Sequence, residues 1–272
     1  MAPPRTLRPV TLTGLPTDCN SSFLRGPAAA PAAIRAVLKS AMGNPCASTG
    51  MDISSPDVLI DTGDAPLQEN GGDFERIAAA AQAAFAKGGA VFLGGDHFVT
   101  WPVIEGLVRT GHAPPHLVHI DAHPDLYPDF DGNRNSHASP MARLCEAGRL
   151  KSLTQIGIRT INAQQRAQIE RYDVRVFAPD ALPLAKADLP CSSTYVSIDL
   201  DGLDPAFAPG VSHHEPGGLS VREVLAIIAA LPGPLIGADI VELNPARDIN
   251  AMTAAVAVIL LKELTARIYA DQ

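Results

Sequence analysis

The sequence predicts an α/β fold in which helices cover both faces of a mainly parallel sheet. Three observations carry that prediction. Short apolar runs alternate with helical patterns along the 272 residues. Several of those runs are apolar at both even and odd positions, as strands buried on two faces are. Clusters of ionisable residues sit at the carboxyl ends of the runs, where open α/β sheets bind their ligands.

The elements follow in order. VTLTGL (10–15) reads as a strand, and 27–42 as the helix after it. DVLID (57–61) precedes a helical pattern over 73–87, with Asp73 as its expected N-cap. AVFLGGD (90–96) leads to 99–111, HLVHID (116–121) to 138–149, and LTQIGIR (153–159) to 163–172. VRVF (174–177) and TYVSID (194–199) are further strands. Ser220 opens the helix 220–230, with Glu223 three residues on as in a capping box. LIGADIVEL (235–243) is the eighth strand, and 251–269 the last helix.

Composition bounds the function. The chain is 46% hydrophobic and 18% charged, enough for a large core. It has no Ser/Gly tract, charge block or internal repeat, so one domain over 1–272 is expected. The formal net charge of −8 argues against nucleic acid or an anionic membrane as partner. It leaves a cationic substrate open. MAPPRTLRPV lacks an apolar signal core and no run is long enough to span a bilayer. A cytoplasmic location and no membrane partner are the resulting expectations. Four scattered cysteines without a C-x-x-C read as buried thiols, not as disulfides or zinc ligands.

Four strand ends carry the chemistry: GGDH (94–97), DAHPD (121–125), SIDLDGLDP (197–205) and DIVELNP (239–245). Singly, each has a plain reading as a cap or turn. DAHPD does not, because Asp121, His123 and Asp125 share one parity and so one side of an extended chain. Asp199 and Asp201 repeat the spacing. A bare buried carboxylate costs several kcal/mol, roughly, even after relaxation. Adding His97 gives four carboxylates and two imidazoles, which balance two divalent cations. That donor set, rich in carboxylate and free of thiolate, suits manganese better than zinc, with nickel or cobalt as alternatives. Two such ions about 3.5–4 Å apart can hold a water as hydroxide, a nucleophile that needs no Ser or Cys.

These residues carry a resemblance. GGDH, HIDAHPD, SIDLDGLDPAFAPG, EPGGLS and DIVELNPARD together resemble the ureohydrolase family of arginases and agmatinases, as does GLPTDCNSSFLRGPAAAPAAIR (14–35). SHASPMARLCEAG, GIRTIN and APGVSHHEPGGLS look most like plant-type arginases. The resemblance implies a three-layer αβα arginase-like fold with about eight mainly parallel strands. It also implies a pair of Mn(2+) ions (Ni, Co or Zn as alternatives), a small guanidino substrate, and a homotrimer or homohexamer. By position, His97, Asp121, Asp125 and Asp199 would hold one ion. Asp121, His123, Asp199 and Asp201 would hold the other. His137 matches the family's proton shuttle, Glu242 the acid that pairs with guanidinium, and Asp201 would help steady the intermediate.

The implied reaction cleaves L-arginine to urea and ornithine. Agmatine or another guanidino acid is the alternative substrate, and a non-catalytic metal-binding subunit or a metal-dependent deacetylase the remoter reading. For the substrate tail, Asn133 and Asn135 are candidates to bond an α-carboxylate and Arg134 to attract one. Asn162 stands where other arginases have an acid near the α-amino group. His213 stands where many relatives carry Thr, and lines the pocket or lies in a loop; His214 is open in the same way. His119 reads as a core or ligand-supporting histidine, Asp204 as a turn residue, His112 and His116 as surface or loop residues, and Phe98 as a packing change.

Overall fold

The structure, a computed structural model, describes residues 7–272. Residues 1–6, on which the absence of a signal core partly rests, lie outside the described residues. Eight strands form the sheet: β1 (Val10–Leu15), β2 (Leu59–Asp64), β3 (Ala90–Gly94), β4 (His116–Ile120), β5 (Ser152–Ile156), β6 (Arg175–Phe177), β7 (Thr194–Asp199) and β8 (Leu235–Val241). Every pairing is parallel, in the order β2-β1-β3-β8-β7-β4-β5-β6. The strands expected from apolar runs are these eight, shifted by a few residues at their ends.

Among the described residues seven α-helices accompany them, the last following β8: α1 (Ala30–Leu38), α2 (Asp73–Phe85), α3 (Thr100–Arg109), α4 (Pro140–Glu146), α5 (Ala163–Arg171), α6 (Val221–Ala230) and α7 (Met252–Asp271). Alternate side chains of each strand enter opposite cores. Val91, Leu93, Val118, Ile120, Val196 and Ile198 meet Ile34 of α1, Val224 of α6 and Leu260 of α7. Phe92, Leu117, Leu153 and Tyr195 meet Ile77 of α2, Val103 of α3 and Met141 of α4. The result is the three-layer αβα arrangement. None of these helices is long and apolar enough to cross a membrane.

Ser220 and Glu223 form the expected capping box: the Glu223 amide donates to Ser220 Oγ (3.2 Å), and the Ser220 amide to Glu223 Oε2 (2.7 Å). Asp73 does something else. It is the first residue of α2, and its carboxylate accepts the amides of Gln68 (2.9 Å) and Asn70 (3.2 Å), tying down the preceding loop. The cysteines also depart from expectation. Cys19 and Cys191 are exposed, Cys46 and Cys145 half-buried, and none is bonded to another.

Strand order positions the site. β3, β8, β7 and β4 are neighbours at the centre of the sheet, so the four acidic motifs emerge side by side at the carboxyl ends of the strands. Glycine permits two close approaches there. A Cβ on Gly95 would lie 1.7 Å from the Thr17 carbonyl, and one on Gly202 would lie 2.8 Å from the Asp121 amide.

Candidate metal centre

His97 begins a short 3-10 turn after β3 and is buried. Its Nδ1 lies 3.1 Å from Asp121 Oδ2, 3.1 Å from Asp125 Oδ2 and 3.2 Å from Asp199 Oδ2. The tautomer follows from the other ring nitrogen. Ser197 donates its one hydroxyl proton to Asp239 Oδ1 (2.6 Å), so its oxygen accepts from His97 Nε2–H (2.9 Å). Tyr195 and Thr100 donate to Asp239 Oδ2 at 2.8 and 2.9 Å. The chain Asp239–Ser197–His97 thus leaves a lone pair on Nδ1, facing three carboxylate oxygens. Nδ1 makes no hydrogen bond.

That arrangement is repulsive unless something positive lies within it. Bonds of about 2.1 Å at octahedral or tetrahedral angles place neighbouring ligand atoms about 3.0–3.4 Å apart. The observed spacings fit a cation. A second group converges beside the first: His123 Nδ1 is 3.1 Å from Asp201 Oδ2 and 3.4 Å from Asp121 Oδ1. Asp121 faces both groups, one oxygen toward each. Asp199 Oδ2 faces His97, while its Oδ1 accepts the Asp201 amide at 2.8 Å.

Titration points the same way. Burial, then repulsion from Asp201 and Asp121, pushes the Asp199 carboxyl well above its usual range. Burial opposes charge on His97, but the surrounding carboxylates overcome it and raise the imidazole. Positive charge is what the cluster lacks.

Supporting bonds hold the ligands. His119 Nε2–H donates to Asp121 Oδ2 (2.7 Å), and Gln155 Nε2 donates to His119 Nδ1 (2.9 Å) and to the Pro124 carbonyl (2.7 Å). His119 is therefore committed at both nitrogens and supports Asp121. Arg159 donates to the carbonyls of Asp201 (2.7 Å) and Gly157 (2.9 Å), and through Nε to that of Glu215 (3.0 Å). One guanidinium ties the segment after β5 to two points of the connection between β7 and α6. Asp125 and Glu242 adopt left-handed backbone (φ 51° and 65°), a conformation uncommon outside glycine that concentrates at functional sites.

The Asp239 chain gives a testable expectation. Asp239→Asn should weaken metal binding by about 10–100-fold, since the histidine loses its oriented partner. Titration of the metal-free protein measures this. Unchanged affinity would show that the chain only packs the core.

Beside the cluster lies a cavity of about 260 Å³, lined among others by Ser22, His123, Asp125, Tyr127, His137, Asp199, Asp201, His213, Glu215 and Glu242. Glu242, just beyond β8, accepts from the His97 amide (2.9 Å) and His137 Nδ1 (2.8 Å), both at Oε1. Burial opposes charge on His137, yet Glu242 at contact distance, with Asp96 and Asp125 beyond, raises it to about 9. His213 does line the cavity, its ring 5.5 Å from that of His137 and 5.9 Å from that of His123. Its neighbour His214 is exposed and donates to the Pro209 carbonyl (2.6 Å).

Four sequence candidates fall outside the cavity. Arg134 is 63% exposed and pairs with Glu146 at 3.0 Å, which draws it away. Asn133 accepts the Asn135 amide (2.9 Å) and donates to Asn20 (3.3 Å), folding the loop on itself. Asn162 caps α5 by accepting the Gln165 amide (2.9 Å) and donates to the Tyr127 hydroxyl (2.5 Å), so it reaches the cavity only through Tyr127. Sequence reasoning missed Ser22, Tyr127, Phe130, Gln165 and Glu215 as cavity walls. Nothing in their spacing marks them, although Glu215 stands in the quoted EPGGLS.

Comparison with known proteins agrees with this geometry. A profile of the Arginase family matches residues 8–266. Arginase 1, mitochondrial, of Arabidopsis thaliana is 43% identical over 275 residues, covering 95% of this chain and 80% of its own. Arginase 2, chloroplastic/mitochondrial, of the same plant is 41% identical, covering 94% of this chain and 79% of its own. The solved arginase from Medicago truncatula superposes with a TM-score of 0.91 at 36% identity, covering 96% of this chain and 88% of its own. The organellar names of such relatives conflict with the cytoplasmic location expected above, and that expectation is withdrawn. The matched residues 8–266 span the sheet, all four acidic strand ends and the loops that wall the cavity: the chain belongs to the arginase family.

Proposed function

We propose that this chain is a single-domain ureohydrolase that cleaves a guanidino group to urea and an amine, with L-arginine as its substrate. One observation carries the reading. A carboxylate suited to a planar cation, Glu242, stands in the same cavity as the buried His/Asp cluster. His97, Asp121, Asp125 and Asp199 would hold one divalent ion, and Asp121, His123, Asp199 and Asp201 the other. The carboxylate-rich set favours manganese, with nickel, cobalt or zinc as alternatives. When bound, the ions would supply Lewis acidity and a nucleophile from water at neutral pH.

The chain's own residues do the rest. Glu242 keeps Oε1 on His97 and His137. Its Oε2, which makes no hydrogen bond among the described residues, is left for the guanidinium. Asp201 lines the same cavity and steadies charge there. His137 supplies the proton that the departing amine needs. A non-catalytic role would leave this intact set of ligands, shuttle and guanidinium partner without a purpose. Assembly as a homotrimer or homohexamer is part of the same reading.

Among the described residues no Lys or Arg lines the cavity, whereas Glu215 does. The tail is therefore read through its ammonium group, which arginine and agmatine share and 4-guanidinobutyrate lacks. The arginase names of the relatives favour arginine over agmatine. Urea release from these three compounds, after reconstitution with Mn, Ni, Co or Zn in turn, is the test. We expect kcat/KM to be highest for arginine and lowest for 4-guanidinobutyrate. A value for agmatine equal to or above that for arginine would reassign the substrate, and no urea from any would reject the reading.

A further inference from the structure

The loop from Thr17 to Ala28 contributes Ser22 to the cavity wall and is pinned at both ends. Asp18 accepts the amides of Gly26 (2.7 Å) and Ala28 (3.2 Å) and the Arg25 Nε (2.6 Å). Asn20 donates its amide to Asp96 Oδ2 (2.9 Å), and its carbonyl accepts the His137 amide (3.1 Å). This frame delivers Ser22 to the imidazole. Ser22 Oγ lies 2.8 Å from His137 Nε2, and the Ser22 amide donates to the same nitrogen at 3.1 Å. Since Glu242 holds Nδ1, both ring nitrogens are engaged, and Ser22 also lines the cavity.

We propose that Ser22 is the residue that holds His137 in both of its protonation states and passes its proton into the cavity. This rests on the reading of His137 as proton donor. In the neutral ring the Nε2 lone pair accepts the Ser22 amide. In the charged ring Nε2–H must turn to an acceptor, and Ser22 Oγ, the nearer atom, is that acceptor. Transfer then balances: once the C–N bond has broken and the amine is free, Nε2 gives its proton to Oγ while Oγ gives its own to the amine nitrogen. The imidazole ends neutral, the amine ends as ammonium, and the serine is unchanged. Without the hydroxyl, the amide alone remains, and it opposes a protonated Nε2.

Other titratable groups face His137: Glu242 beyond β8, Asp96 beyond β3, Asp125 beyond β4 and His213 from the 211–218 loop. Ser22→Ala changes none of them. The experiment compares wild type, Ser22→Ala and Ser22→Thr. Ring-nitrogen NMR of the zinc-loaded proteins, with His137→Asn to assign the signal, follows the His137 titration without substrate. Steady-state kinetics on the manganese-loaded proteins follow turnover. In Ser22→Ala we expect the His137 midpoint to move to lower pH. We also expect kcat to fall by roughly ten- to a hundredfold, a share of what a general acid contributes. KM and metal content should hold, and Ser22→Thr should restore both readouts to within a few-fold. An unchanged midpoint in Ser22→Ala would overturn the proposal, even if no guanidino compound is hydrolysed. A shifted midpoint with unchanged kcat would overturn the transfer step, and equal losses in Ser22→Thr would reduce Ser22 to a packing residue.

Discussion

Asp199→Ala is expected to abolish turnover and to lower bound metal from about two ions per chain to one or fewer, because a carboxylate between two cations serves both. The residue stands at the end of β7, with Oδ2 at 3.2 Å from His97 Nδ1 and Oδ1 on the Asp201 amide. Removing it strips a ligand from the first group and loosens Asp201 in the second. Metal analysis after exhaustive dialysis reads the first effect, and urea production the second. A variant that retains two ions and wild-type turnover would show that Asp199 is not shared.

His137→Asn should separate proton transfer from metal binding. Metal content is expected to stay near wild type, since His137 touches Glu242 and Ser22 and none of the clustered ligands by hydrogen bond. Turnover should fall by roughly 10²–10⁴, the usual contribution of a positioned acid–base group. pH adds a second reading. The His137 imidazole is raised to about 9 in the folded chain, against about 6.5 in an unfolded one. A raised pKa stabilises the fold fully below the unfolded value and loses that contribution as pH rises through the folded one. The proton donor is lost over the same interval, so wild-type kcat should decline as pH passes about 9. That limb should be absent from His137→Asn. Loss of metal together with rate would instead make His137 a ligand.

Much of the molecule can be read from its one-dimensional pattern, and the physical reason is locality. Whether a run such as AVFLG is a strand depends on its own residues and their parity. The capping box at Ser220 and Glu223 spans three positions and forms as read. Asp121, His123 and Asp125 alternate on one extended segment, so their convergence needs no knowledge of the rest of the chain. Repetition of that carboxylate spacing at Asp199 and Asp201, and the cost of burying such charges bare, were enough to call for cations.

What tertiary structure alone decided lies in partners far apart in sequence. Strand order, with β8 and β7 inserted between β3 and β4, is what carries Glu242 to within bonding distance of His97 and His137. Asp239 reads in sequence as one more acid in a buried strand. Only the packing of β7 against β8 makes it the end of a chain that fixes the His97 tautomer. Loop side chains were the least legible. Arg134 turns toward Glu146, which supplies it with a counter-charge, and Asn162 spends its oxygen on a helix amide that would otherwise lack a partner. Ser22 gives no signal in its own neighbourhood, since its role is set by a ring 115 positions away.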